Sequence, residues 1–145
     1  LGTLGVIIRI ANPYRAGRAG KLDFAAKIRE KLATGQSIDA PTDQIFVPTF
    51  VDDIAQAINV LVPKNASGIY HVVGSDAMSP FDAAMIIAKV FGYDHTHIGK
   101  TTFVQYFSAR APRPFQAHLV HDRISKLGVT MRGFEEGMRE VKKQL

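Results

Sequence analysis

Two short stretches carry the residue types with most to offer a ligand. In the run Asp43-Gln44-Ile45-Phe46-Val47-Pro48-Thr49, an amide and a hydroxyl sit on either side of an apolar segment that a proline interrupts. A proline-broken strand leaves backbone groups free, and Gln44 offers both donor and acceptor to a hydroxyl-rich molecule. The competing reading is that Gln44 and Thr49 satisfy local backbone. Arg110 and Arg113 form the second stretch, with Pro112 between them and Pro114 after. Guanidinium forks match phosphate oxygens in pairs, and proline-restricted backbone fixes where they point. A surface ion pair is the alternative for Arg113. Asn12-Pro13-Tyr14 follows an apolar run, at the carboxyl end where ligands sit in open α/β sheets. A plain strand-ending turn would read the same way.

Other chemistries find little support. His95-x-His97 and His118-x-x-His121-Asp122 have converging spacings, but no H-E-x-x-H accompanies them and metal binding is not expected. His71, inside an apolar run, reads as a core or pocket-wall residue. Ser67-Gly68 and Gly74-Ser75 lack the G-x-S-x-G frame of a serine hydrolase. Asp52-Asp53, at a helix start, reads as caps and dipole partners rather than an acid pair. The chain has no cysteine, which excludes disulfides and thiolate sites and fits a reducing compartment. Its net charge is +5 over 145 residues, yet the basic residues are scattered apart from Arg15/Arg18/Lys21, Arg110/Arg113 and Arg139/Lys142/Lys143. No nucleic-acid-binding signature accompanies them, so nucleic acid is not the expected partner. The longest apolar runs are too short to span a bilayer, and the first ten residues do not form a signal peptide.

These residues need elements to position them. A hydrophobic content of 46% is enough for a core in one unit without repeats or linkers. Val6 to Ile10 predicts a strand buried on both faces, and a loop with Gly17 and Gly20 follows. Apolar positions 22, 25, 28 and 32 predict a helix that Gly35 ends. Asp39 to Thr42 reads as a turn, and Gln44 to Phe50 as an edge or bulged strand. Ile54, Ala57, Ile58 and Leu61 line one face of a helix that Asp52 or Asp53 caps and Pro63 closes. Asn65 to Gly68 is a turn and Ile69 to Val73 a second buried strand. Ser79-Pro80 starts a helix that Gly92 terminates. Asp94 to Lys100 reads as a polar connector, Thr101 to Tyr106 as a short strand, and Arg110 to Pro114 as extended. Helices near Asp122 to Leu127 and Phe134 to Lys143 complete the chain. Strands alternating with helices predict an α/β fold, but two long parallel strands are too few for a sheet that stands alone.

In order, Val6 to Tyr14, Asp43 to Ala55, Gly68 to Val72 and Arg113-Pro114 resemble the C-terminal half of the extended short-chain dehydrogenase/reductases, and within them the dTDP-4-dehydrorhamnose reductase type. The resemblance covers nearly the whole chain. It implies the last strands of a doubly wound, Rossmann-like parallel sheet with a small, mostly helical substrate-binding domain, and a cytoplasmic location. It also implies an NAD(P)-dependent parent enzyme that reduces the 4-keto group of a nucleotide-linked sugar. By the same resemblance, Asn12 and Tyr14 lie near the nicotinamide end of the cofactor, Gln44, Phe46 and Thr49 near the sugar, and Arg110 and Arg113 along the diphosphate. The type carries D-Q-x-G-x-P-T where this chain reads Asp-Gln-Ile-Phe-Val-Pro-Thr, so Phe46 departs from a glycine and would reshape the pocket floor. No glycine-rich cofactor turn and no Tyr-x-x-x-Lys occurs in the chain. The expectation is therefore that the N-terminal Rossmann half of the fold lies upstream of Leu1, and that this chain alone neither binds NAD(P) nor turns over. A non-catalytic binding subunit, or a piece of an epimerase or dehydratase, remains open at this level. A sheet without its neighbours would leave an apolar edge, which predicts a homo-oligomer, a swapped assembly or poor solubility.

Overall fold

The computed structural model describes residues 5–17, 20–111 and 113–145. Arg18 and Ala19 of the glycine loop, and Pro112 between the two arginines, lie outside the described residues. The elements run β1 (Val6–Arg9), β2 (Pro13–Tyr14), α1 (Phe24–Ala33), β3 (Ile38–Pro41), β4 (Thr49–Phe50), α2 (Val51–Leu61), β5 (Gly68–His71) and α3 (Pro80–Phe91). A 3-10 turn (His95–His97) precedes β6 (Ile98–Thr101), and α4 (Phe103–Phe107), α5 (Asp122–Ser125) and α6 (Phe134–Lys143) follow. The class is α/β. Every named strand pairs in parallel, β1 with β5, β2 with β4 and β3 with β6.

The β1–β5 pair sits on one apolar cluster. Val6 and Ile8 turn toward Ala57 and Leu61 of α2, Ile124 of α5, and Val129 and Met131. The opposite face is open. Ile7 is 47% exposed and stands in register with Ile69, which is 38% exposed. The expectation of a strand buried on both faces therefore holds for one face only, because no described element packs over Ile7 and Ile69.

A second cluster lies under β2 and β4, where Tyr14, Phe50 and Phe134 meet α3 through Ala83 and Ile87, and α6 through Met138 and Val141. Helix α3 bridges to a third cluster, with Ala84 and Ala88 against Leu32 and Ile98. Its ends follow local rules: Ser79 Oγ accepts the Asp82 N–H at 3.1 Å, and Gly92 closes the helix at φ 75°. Asp23 caps α1 by accepting the Ala26 N–H at 2.8 Å.

Several predicted elements differ, among them Asp94 to Lys100, which is not a connector but the 3-10 turn and most of β6. Ile38 to Pro41 is not a turn but β3, in parallel register with Ile98 to Thr101. Pairing with a strand 60 residues away overrides the poor strand preference of Asp39 and Pro41. The stretch predicted as a strand at Thr101 to Tyr106 is instead the end of β6 and helix α4. Its start is a capping box in which Thr102 Oγ1 accepts the Gln105 N–H at 3.3 Å. Finally, Asp52 and Asp53 do not cap α2: Phe50 occupies the cap position, and both carboxylates lie in the first turn.

Candidate functional site

The residues singled out above fall into two groups. One is a knot where β1 runs into β2 beside β4. Asn12 is exposed and takes a left-handed φ of 43°, a conformation asparagine tolerates better than most residues. Its carbonyl accepts the Thr49 N–H at 3.2 Å. Thr49 has no exposed surface; its Oγ1 donates to the Ala11 carbonyl at 2.6 Å and accepts the Gly74 N–H at 3.3 Å. The residue facing it must be glycine, since a Cβ on Gly74 would run into the Pro48 carbonyl.

Tyr14 corrects the reading of a cofactor contact. Its side chain is 1% exposed and stacks on Phe50 at 5.6 Å, with Phe24 and Phe134 edge-on. The hydroxyl reaches α6 where Gly137 leaves space that a Cβ would occupy. Burial, and the nearby Asp53 and Asp76, push its pKa well above the ordinary tyrosine value, so the phenol stays neutral. The ring builds core. Thr49, with its hydroxyl donating to one backbone group and accepting from another, is likewise a tie inside the fold. Phe46 is 7% exposed and lies edge-on to Phe24 at 5.2 Å, so in place of a glycine it fills core volume rather than forming an open wall.

The second group surrounds the arginines. Asp43, Gln44 and Ile45 run beside the segment that carries them. Asp43 Oδ1 accepts the Phe103 N–H at 2.7 Å. Gln44 Nε2 donates to the Pro114 carbonyl at 3.0 Å. The Ile45 N–H donates to the Phe115 carbonyl at 3.1 Å, and its carbonyl accepts the Ala117 N–H at 2.9 Å. Between these anchors, Arg110 lies over the Tyr106 ring at 4.0 Å. Arg110 and Arg113 are exposed. The outcome is a surface arm bearing two cations and an aromatic ring, hung from the Asp43–Gln44 strip, which suits an anion joined to a flat or hydroxylated group.

One buried feature went unforeseen. Asp53 is fully buried, and its carboxylate accepts the Arg132 N–H at 2.9 Å and pairs with the Arg132 guanidinium. Burial pushes the Asp53 pKa up, while the Arg132 N–H and charge oppose that shift. Arg132 also lies 5.5 Å over the Phe50 ring and 3.7 Å from Glu136. Nearby, Asp76 accepts the Phe134 N–H at 2.7 Å and so holds the start of α6, which has no cap of its own. Partners 58 and 79 residues apart leave no local signature. Among the described residues no cluster of three or more His, Cys, Asp or Glu could hold a metal, and His97 meets only Ser37 (3.4 Å) and Asp94 (3.9 Å). Nor is any described helix long and apolar enough to cross a membrane.

Comparison with known proteins identifies the family. The RmlD substrate binding domain matches residues 3–145. The spore coat polysaccharide biosynthesis protein SpsK of Bacillus subtilis is 31% identical over 92% of the chain, and the dTDP-4-dehydrorhamnose reductase of Mycolicibacterium smegmatis 28% identical over 92%. These matches cover 45% and 41% of those relatives, so the chain spans less than half of their length. Among solved structures, the Bacillus anthracis dTDP-4-dehydrorhamnose reductase, in complex with NADP, superposes with a TM-score of 0.84 at 26% identity, covering 97% of this chain and 48% of that one. A Thermus thermophilus UDP-glucose 4-epimerase shares the fold at 18% identity and a TM-score of 0.73, covering 92% of this chain and 44% of that one. On the match across almost its whole length, the chain belongs to the RmlD substrate-binding domain family.

Proposed function

We propose that this chain is the substrate-holding part of an NAD(P)-dependent reductase that acts on the 4-keto group of a nucleotide-linked sugar. The observation that carries the reading is the arginine arm, two exposed arginines on a segment whose backbone is tied to Asp43 and Gln44, in a chain whose relatives bear the names of dTDP-sugar reductases. Arg113 takes the diphosphate, with Arg110 beside it, and Asn12 stands nearest the nicotinamide end. Gln44, Phe46 and Thr49 shape the ground beneath the sugar. Positioning of this kind supplies a large part of a rate enhancement but not the reacting groups.

The residues present do not fit the cofactor on their own. A pyrophosphate needs a glycine-rich turn at a helix start, which the chain lacks; Tyr14 is buried, and the Asn12 carbonyl already accepts the Thr49 N–H. The reading therefore assigns hydride delivery and proton transfer to a Rossmann half outside this chain, and gives the open Ile7–Ile69 face to that partner. Calorimetric titration of the 145-residue chain with dTDP tests the anion site: binding is expected, weakened at least tenfold by Arg113→Ala. Mixing the chain with NADPH and a dTDP-4-keto sugar is expected to leave the 340 nm absorbance unchanged. NADPH oxidation would overturn the division of labour, and failure of dTDP to bind would overturn the anion site.

A further inference from the structure

We propose that Asp43 and Gln44 are positioning residues that clasp the two ends of the arginine arm and thereby set where Arg110 and Arg113 stand. The proposal rests on the reading of those arginines as partners of a nucleotide diphosphate. Two successive side chains reach opposite ends of one excursion, Asp43 to Phe103 at its start and Gln44 to Pro114 at its finish. The backbone on either side is already paired: the Thr42 N–H donates to the Thr101 carbonyl at 3.1 Å, and Ile45 exchanges bonds with Phe115 and Ala117.

Each side chain supplies what the backbone there cannot. Phe103 is the first residue of α4, and its N–H has no partner within the helix. The capping box serves the N–H groups of Thr102 and Gln105, which leaves the one at Phe103 for Asp43. Pro114 has no N–H at all, so the chain at that point is anchored through its carbonyl, and Gln44 provides the donor.

The two anchors serve different arginines. Asp43 holds α4, α4 carries Tyr106, and Tyr106 supports the Arg110 guanidinium at 4.0 Å. Gln44 holds Pro114, the residue directly after Arg113. An apolar brace closes the neck between them, with the Phe103 ring 4.8 Å from Phe107 and 5.2 Å from Phe115.

Two readouts on the intact chain test this. Trypsin cuts after Arg110 but not after Arg113, where Pro114 follows, so the rate of that one cleavage, followed by mass spectrometry, reports the freedom of the arm. Asp43→Ala is expected to raise it about tenfold while the melting curve stays within a few degrees, and Asp43→Asn, which keeps an acceptor oxygen, to return it to within about threefold of the parent. Gln44→Glu sets a carboxylate against the Pro114 carbonyl and is expected to weaken dTDP binding about tenfold, as is Asp43→Ala. Unchanged cleavage in Asp43→Ala would overturn the clasp. Faster cleavage with unchanged dTDP affinity, in a chain whose binding still depends on Arg113, would overturn the positioning role. Should the parent chain not bind dTDP, the nucleotide reading itself fails, and the cleavage rates alone decide whether the clasp exists.

Discussion

Replacing Arg132 by methionine should damage this fold more than any surface change. The substitution keeps an apolar stem over Phe50 and removes the charge beside Asp53, whose side chain is 1% exposed. Breaking a buried ion pair from one side costs about 3–5 kcal/mol. The Arg132 backbone N–H still donates to Asp53 at 2.9 Å, which places the expected loss at the lower end, about 3 kcal/mol. For a domain of this size that lowers Tm by about 10 °C. The pH dependence has a definite sign. Burial already holds the Asp53 pKa above its unfolded value, so the native state binds more protons than the unfolded one between those two values. The corresponding stability is complete below the unfolded pKa and is lost as pH rises through the folded one. Removing Arg132 takes away a charge that opposes this shift, so the deficit of Arg132→Met should be smaller at pH 5 than at pH 8. Asp53→Asn in the Arg132→Met background should recover part of the loss. Urea melts of the parent, the single variant and the double variant at both pH values measure this. A loss under 1 kcal/mol that does not change with pH would mean that the carboxylate reaches water and the reasoning is wrong.

Gly137→Ala should cost about 1–3 kcal/mol through the clash with the Tyr14 hydroxyl, and Tyr14→Phe should restore part of it; thermal melts of the single and double variants check this. Thr49→Val keeps the shape but leaves the Ala11 carbonyl and the Gly74 N–H without their partner, an expected loss of about 1–3 kcal/mol by urea titration. Ser79→Ala removes the α3 cap for about 1 kcal/mol, with dTDP affinity unchanged. Ile69→Lys should leave the melt nearly unchanged and reduce any self-association seen in sedimentation, because Ile69 already faces outward.

Elements defined by their own neighbours were legible in the sequence. Helix α3 begins at Ser79-Pro80 and ends at Gly92, as its capping residues and apolar spacing require. Helix α4 escapes its local pattern because Phe103, Val104 and Tyr106 favour strands, although Thr102-x-x-Gln105 spells a capping box. Strand β3 has no local signature because its reason to exist is β6, far along the chain. The candidate site divides in the same way. Arg110 and Arg113 stood out because exposed cations among prolines need no partner to be noticed. The resemblance sets Tyr14 near a cofactor, yet aromatic packing claims it, while Thr49 bonds to backbone, as one of its two sequence readings has it. Asp53 looked like a helix-end charge, since its partner at Arg132 lies 79 residues on.

The strip from Pro41 to Ile45 also bears on when the site forms. Its bonds to the arginine arm join residues 60 and 70 positions apart, and α2, β5 and α3 lie between them. Closing loops of that length is slow compared with winding a helix. The arm therefore holds its place through pairing with a distant strip and not through its own local turns.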